Sequence, residues 1–365
     1  MANEDAVTNP VANAGEQLAN RLSAATLAAL ENLAVYIGIK LGLYAALDAL
    51  GSVTHAELAV HAVIAERYAR EWLEQQAAAG ILGMIDNADG EPLFTLPAGH
   101  RDVLLDREHP RYSAGAVRAS VAAGAPIDLL IEAFRTGEGL PAATYGSDAI
   151  EGQAEDHRRE YVNRLAGWFA ALPEVGARLR DDPPAHVAEL GCGYGWAAIA
   201  LARAYPKVFV DGFDLDRGSI DAAIAHAEAG RLERRVSFFQ RDAGDPDLEG
   251  RYDLVAIFAA LHDMGRPVDA LRTARRLVRD GGFVLVMDAR VDETLRSPAG
   301  VNDRYAYAWS VLSCLPTGLA DAPSAATGAV MRQSTLERYA REAGFGTVDP
   351  LPIEHERWRF HRLAD

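Results

Sequence analysis

The sequence predicts an α/β fold, a doubly wound and mostly parallel sheet, preceded by a mainly helical part that ends in a winged-helix pattern. Three observations carry this. From residue 183 onward, short apolar runs alternate with helical patterns, which implies a parallel sheet with helices on both faces. One of those runs passes through Gly191, Gly193 and Gly195 directly into an Ala-rich helix. Earlier in the chain, two helical patterns are followed by two β-like runs joined by a turn.

A chain of 365 residues suits two domains, because single cores stop growing well below that size. With 49% hydrophobic and 24% charged residues, both parts can bury a core. The expected divisions are a disordered tail over 1–15, a helical and winged-helix domain over 16–110, a helical connector over 111–182 and the α/β domain over 183–365. The net charge of −16 would repel a phosphate backbone, so nucleic acid is not expected as a partner. Cys192 and Cys314, the two cysteines, stand far apart with no histidine spacing of a zinc site, which reads as a reduced, cytoplasmic protein without a metal. The opening MANEDAVTNPVANAGEQ lacks the basic start and apolar run of a secretory signal. No uninterrupted apolar run reaches the roughly 18 to 20 residues of a membrane helix, and LSAATLAALENLAVYIGI, which comes nearest, is broken by Glu31. No membrane association is therefore expected.

Residues 16 to 50 show helical spacing without proline, as two helices broken near Gly38 and Gly42. Thr54, with Glu57 three residues on, makes a capping box for a helix through AELAVHA. A second helix, AERYAREWLEQQAAAG, closes on Gly80 as a left-handed cap. ILGMID and PLFTL then form a hairpin around NADGE, completing a winged helix. The helix that would enter a DNA groove carries Arg67 and Arg70 against Glu66, Glu71 and Glu74, a net negative face where a DNA reader needs a basic one. A dimerising role fits better, since apolar N-terminal helices without cover of their own need a partner.

Residues 101–182 read as largely helical, with a loop at TGEGLPAATYGSD and an amphipathic stretch from Asp156 to Leu179. Trp168 and Phe169 on that stretch are assigned to the core. DDPP at 181–184 marks the boundary. Beyond it, HVAEL, VFVDGFDL, VSFFQRD, YDLVAIF and GFVLVMD are the strands.

The chemistry concentrates where these strands end. In HVAELGCGYGWAAIALARAYP the glycines let the backbone turn sharply and approach a ligand at the carboxyl edge of the sheet. Asp214, at the end of the second strand, can accept hydrogen bonds from both hydroxyls of a ribose, and Asp242, after the third, can reach an adenine amino group. ELGCGYG, DGFDLD, RDAGD, YDLV and RDGGFVLV, in this order, resemble the class I S-adenosylmethionine-dependent methyltransferases, whose catalytic domain is Rossmann-like. Through ALHDMGRPVDAL, SVLSCLPTGLADAPSAATGAVMR and YAREAGF, the whole chain resembles bacterial small-molecule methyltransferases with an N-terminal winged-helix dimerisation domain, related to the plant phenolic O-methyltransferases. The resemblance implies S-adenosyl-L-methionine as cofactor and S-adenosyl-L-homocysteine as product. It places Glu189 at the methionine end, the loop glycines against the cofactor, Asp214 and Leu215 at the ribose, Asp242 with Ala243 at the adenine and Phe258 on the methyl side. Tyr194 fills a loop position that the family often gives to a small residue.

His262, in LHDM, matches the family's general base. An imidazole of pKa ~6.5 can take the proton of a phenol of pKa ~10 as its oxygen attacks a sulfonium methyl. The alternative is that His262 only fixes its loop. Transfer to carbon or nitrogen would need alignment alone, and the same fold also hosts non-methylating reactions. A ligand-sensing winged-helix regulator is a further alternative. Asp263 could orient His262 or cap the next helix, while Asp288, Arg290 and Glu293 read as a solvated loop. Tyr145 is expected to close over the ligand, and Tyr307, Trp309, Cys314 and Met331 to line a pocket for a small-molecule acceptor. Cys192 has no neighbouring base and reads as a packed thiol. His157, His226, His355 and His361 receive no role. The sequence therefore leads to O-methylation of a hydroxyl on a secondary metabolite by a homodimeric enzyme.

Overall fold

A computed structural model describes residues 10–86, 88 and 90–365. It comprises two compact units, Met1–Val121 and Ala122–Asp365. Of the tail expected to be disordered, residues 1–9 lie outside the described residues, and residues 10–15 are the first turns of a helix.

The first unit contains α1 (Pro10–Lys40), α2 (Leu43–Leu50), α3 (His55–Ala62), α4 (Glu66–Ala78), the strands β1 (Gly83–Asp86) and β2 (Pro92–Thr95), and α5 (Ala98–Leu104). The division between the units falls inside α6 (Ala114–Gly124). The α1–α2 break comes at Gly42, whose φ of 67° is open to glycine. Gly38 is no break: it lies within α1, and a side chain is absent there because a Cβ would lie 2.4 Å from the Trp72 ring. Both halves of the Thr54–Glu57 capping box form. β1 and β2 pair antiparallel as the expected hairpin, although Asn87 and Asp89 of its turn lie outside the described residues. Tyr44, Leu47, Leu58, Leu73 and Phe94 fill the core between these elements. On α4 the two arginines are neutralised one turn on, Arg67 by Glu71 and Arg70 by Glu74.

The long helix α1 departs from the sequence expectation. Leu18, Leu22, Leu30, Leu33 and Ile37 are all exposed along it. Its stretch Asn13–Lys40, which holds an 18-residue window of mean hydropathy 1.5, is long and apolar enough to cross a membrane by length and composition. Requiring an uninterrupted run missed it, because isolated charges such as Glu31 do not offset so many Ala and Leu residues.

In the second unit, α7 (Ile127–Thr136), α8 (Ser147–Ala170) and α9 (Pro173–Arg178) precede the sheet. Then follow β3 (His186–Leu190), α10 (Trp196–Ala204), β4 (Phe209–Asp214), α11 (Arg217–Ala229), β5 (Val236–Gln240), β6 (Tyr252–Phe258), α12 (Pro267–Leu277) and β7 (Val278–Ala289). The chain continues through α13 (Val301–Trp309), a π-helical turn over Ser310–Cys314, α14 (Leu315–Leu319), α15 (Gln333–Ala343), β8 (Thr347–Pro350) and β9 (Trp358–Ala364). The seven strands stand in the order β5-β4-β3-β6-β7-β9-β8. Five are parallel, and β9 inserts antiparallel between β7 and β8. The helices α7, α8 and α9 of the connector fall in this unit, where Leu165, Trp168 and Phe169 of α8 pack with Val187 of β3 and Ile199 of α10. The strand order reverses between β3 and β6, which is where open α/β sheets leave a crevice for ligands.

Candidate active site

A cavity of about 1060 Å³ opens at the carboxyl ends of β3, β4 and β6. Pockets for one drug-sized ligand run to roughly 300–1,000 Å³, so this one can hold two molecules side by side. One end is the β3–α10 loop. Gly191 and Cys192 both donate their amides to the carbonyl of Phe213, and the Gly193 amide donates to Asp214 Oδ2 at 2.8 Å. Gly193 has φ 49° and nothing within 4 Å of a would-be Cβ, so its backbone is bare toward the cavity. Gly195 does not line the cavity. It begins α10 with φ 75°, and Phe238 fills the space of its absent side chain at 2.4 Å. Its glycine serves packing, which corrects the expectation of a cofactor contact.

Glu189, Gly191, Gly193, Asp214, Leu215, Asp242, Ala243 and Phe258 all border the cavity. Glu189 is only 4% exposed, and its Oε2 has no hydrogen-bond partner among the described residues. Burial pushes its carboxyl up to about 8, against the pull of the Ala198 backbone. Such a group is stabilised by a cation brought beside it. Asp214 Oδ1 accepts from the Asp216 amide at 2.9 Å. With each Asp214 oxygen taking one amide, both retain a free lone pair. Asp242 Oδ1 accepts from the Gly244 amide at 2.8 Å, and its other oxygen pairs with Arg266. A cationic group, a diol and an amino donor thus each have a matching acceptor. The residues fit S-adenosylmethionine, from its sulfonium and ammonium to its ribose and adenine.

The other end is walled by α8 and the α14 region. Tyr145, buried, donates its hydroxyl to the Leu312 carbonyl at 2.8 Å. It borders the cavity with Ile150, Gln153, His157, Ser313 and Thr317. His157, unassigned from sequence, is half-buried, and desolvation holds its imidazole below the usual value. Tyr161 borders the cavity too and packs 5.9 Å from the Phe258 ring. A polar α8 with no clean apolar stripe gave no sign of these two residues.

His262 is 6% exposed and sits one layer behind the cavity wall, which Asp263 and Met264 form. Its Nδ1 lies 2.7 Å from Asp288 Oδ1 and its Nε2 3.4 Å from Asp263 Oδ1. Burial alone would lower its pKa, but the carboxylates of Asp263 and Asp288 prevail and hold it well above the ordinary value. Asp288 is no solvated loop residue: it is 3% exposed at the inner end of β7. Asp263 stands beside His262 rather than capping α12, where the cap position is Arg266.

Several acceptor-pocket residues expected from sequence lie elsewhere. Met331 is in the core with Leu336 and Tyr339 on the far side of the sheet. The Tyr307 hydroxyl accepts from Arg332 Nη2 at 3.1 Å, and Trp309 stacks edge-on against Tyr305 at 6.1 Å. Neither borders the cavity. Cys314 faces His262 behind the wall, and burial pushes its thiol up to about 12. Cys192 is buried in the glycine loop beside the cavity, and burial raises its thiol well above the ordinary value.

Two family models match the chain. A methyltransferase domain covers residues 187–282, and an Rv2258c-like winged HTH domain covers residues 28–107. Among curated proteins, the 27-O-demethylrifamycin SV methyltransferase of Amycolatopsis mediterranei is 30% identical over 148 residues, 40% of this chain and 49% of that protein. The chain spans about half or less of the length of the first curated relatives it matches. Among solved structures, the mitomycin 7-O-methyltransferase MmcR superposes with a TM-score of 0.70 at 19% identity, covering 98% of this chain and 99% of that one. Human N-acetylserotonin methyltransferase in complex with SAM gives 0.73 at 16% identity, with coverages of 96% and 98%. At these identities the likeness shows the fold alone, a Rossmann-like methyltransferase sheet behind a winged helix-turn-helix domain.

Proposed function

Because residues 187–282 are a methyltransferase domain, we propose that this chain is an S-adenosylmethionine-dependent methyltransferase that transfers a methyl group to a hydroxyl of a small molecule. The observation that carries this is the buried Glu189 carboxyl, whose Oε2 has no hydrogen-bond partner among the described residues, facing a cavity with room for an acceptor beside the cofactor. Bound S-adenosylmethionine supplies an electrophilic methyl on a sulfonium. Glu189 faces its cationic end, Asp214 with Leu215 holds the ribose, Asp242 with Ala243 meets the adenine, and the bare Gly193 backbone admits the chain between.

The acceptor lies between Tyr145, His157 and Tyr161, with the wall excluding water from the reacting oxygen. His262, the base expected from sequence, would take the hydroxyl proton on Nε2, from which Asp263 and Met264 separate the cavity. The Asp288 carboxylate, 2.7 Å from Nδ1, favours a proton on that side, and Asp263 stabilises the imidazolium that results. Much of the acceleration comes from holding nucleophile and methyl in line. Relatives named for rifamycin and mitomycin chemistry support an acceptor from secondary metabolism. The position of His262 behind the wall favours a second reading, transfer to a carbon or nitrogen that needs alignment only. Incubation with methyl-labelled cofactor and a panel of phenols, amines and carbon acids decides. Label on phenols and none on the others is the expected result, whereas no label on any acceptor sinks the reading.

The enzyme works as a cytoplasmic homodimer joined through its N-terminal unit, which the exposed apolar residues of α1 support. Such a row rarely stays in water on a stable monomer. Light scattering from micromolar to tens of micromolar protein should give twice the mass of 39.3 kDa. Changing Leu22, Leu30 and Ile37 together to glutamine should give the monomer. A monomer for the unaltered chain throughout that range would refute the dimer. Recovery only with lipid or detergent would point α1 to a membrane instead.

A further inference from the structure

We propose that His262 Nε2, Asp263 Oδ1 and Cys314 Sγ form a binding site for a zinc-class divalent cation, and that the bound ion blocks methyl transfer by taking the imidazole nitrogen. The blocking half rests on the reading of His262 as the base; the metal site does not.

The three ligand atoms lie within 4.8 Å of one another, and the Nε2–Oδ1 separation is 3.4 Å. Tetrahedral zinc with bonds of about 2.0–2.3 Å spans edges of roughly 3.3–3.8 Å. The nitrogen–oxygen edge is therefore already formed, and the sulfur must close by about 1 Å. Cys314 ends a π-helical turn, an irregularity common at functional sites. The ligand set of imidazole, carboxylate and thiolate suits zinc rather than magnesium or calcium.

Two further features belong to metal sites. Asp288 Oδ1 lies 2.7 Å from Nδ1, on the side where the outer carboxylate of a carboxylate–histidine–metal arrangement stands, which leaves Nε2 for the ligand position. Asp263 Oδ1 and Asp288 Oδ2 are buried without a hydrogen-bond partner among the described residues. A dication satisfies the first directly and offsets the charge of the second. Asp263 also borders the cavity, so the fourth coordination position can take water from it. Sequence spacing could not show the site, because Cys314 comes from a different segment from His262 and Asp263. Binding displaces the imidazole proton and the thiol proton to solvent, so apparent affinity rises with pH.

The probe is cobalt(II) titrated into the full chain. One equivalent should produce visible bands of a tetrahedral ion together with a near-ultraviolet thiolate-to-cobalt band, and zinc should displace it. Cys314→Ser should abolish the thiolate band, Asp263→Asn should weaken binding, and Cys192→Ser should keep the band. Thermal melting of each variant confirms folding. Absence of the band in the unaltered chain, or its survival in Cys314→Ser, overturns the metal site. Zinc at ten times its dissociation constant should lower the methylation rate about tenfold, reversed by chelator. Binding with an unchanged rate overturns the blocking. If no acceptor is ever methylated, the functional reading fails by itself, and the cobalt titration still decides the site.

Discussion

His262→Ala is expected to lower turnover of a phenolic acceptor by about 10²- to 10⁴-fold, the usual contribution of a positioned general base. Affinity for S-adenosylmethionine should be unchanged, because His262 lies behind the cavity wall and not against the cofactor end. Single-turnover rates with labelled cofactor, beside calorimetric cofactor binding, measure both. The pH profile carries a second signature. Asp263 and Asp288 outweigh burial and raise the imidazole pKa, so the proton must leave His262 at a higher pH than it leaves a free histidine before the imidazole can accept. The rate at low acceptor concentration should therefore rise with pH through a limb above the ordinary histidine value of ~6.5. Asp288→Asn removes one charge that retains the proton, so its limb should move to lower pH. An alanine variant of undiminished rate would reject the base and leave transfer by alignment. A limb that stays put in Asp288→Asn would reject the coupling.

Asp214→Ala should weaken cofactor binding by about a hundredfold or more. Two hydrogen bonds from a ribose to a charged carboxylate contribute roughly 1.5–3 kcal/mol each. The same carboxylate also anchors the glycine loop through the amides of Gly193 and Asp216. Asp214→Asn retains an oxygen for one amide, so its loss should be intermediate. Calorimetry with S-adenosylhomocysteine reads the effect without a contribution from turnover. Unaltered affinity in the alanine variant would remove Asp214 from the cofactor site.

The parallel half of the sheet could be read from the chain because β3 and β6 are short, mostly apolar runs, the first ending directly on Gly191. β8 and β9 went unread. WRFHRLA mixes arginine and histidine with aromatics, and its charges are accommodated only by tertiary partners: Arg362 lies 4.7 Å over the Phe283 ring, and Arg359 donates to the Val291 carbonyl. At the end proposed for the cofactor, strand ends give the side chains their positions, so it was legible that Glu189, Asp214 and Asp242 would border one cavity. At the acceptor end the wall is helical, and composition does not reveal which face of a helix turns inward. The aromatic segment after Asp303 therefore suggested Tyr307, Trp309 and Met331, whereas α8 contributes His157 and Tyr161. The polar residues of α8 are drawn inward by Arg357 and His355, which pair with Asp156 and Glu160. Asp288 looked solvated because it ends a strand, but that end is buried.

The Phe238 ring occupies the room left by two missing side chains. A Cβ at Gly195 would come within 2.4 Å of it, and one at Gly212 within 2.5 Å. Over evolutionary drift these three positions are therefore not independent. An ancestor could gain a side chain at either glycine only after the ring had shrunk, and a lineage that had shrunk the ring would relax the constraint on Gly212 to the 3.0 Å approach of Cys192 Sγ. The constraint on Gly195 would persist through its left-handed backbone. Substitutions in this loop and on β4 should enter lineages in a fixed historical order, with the change on β5 first.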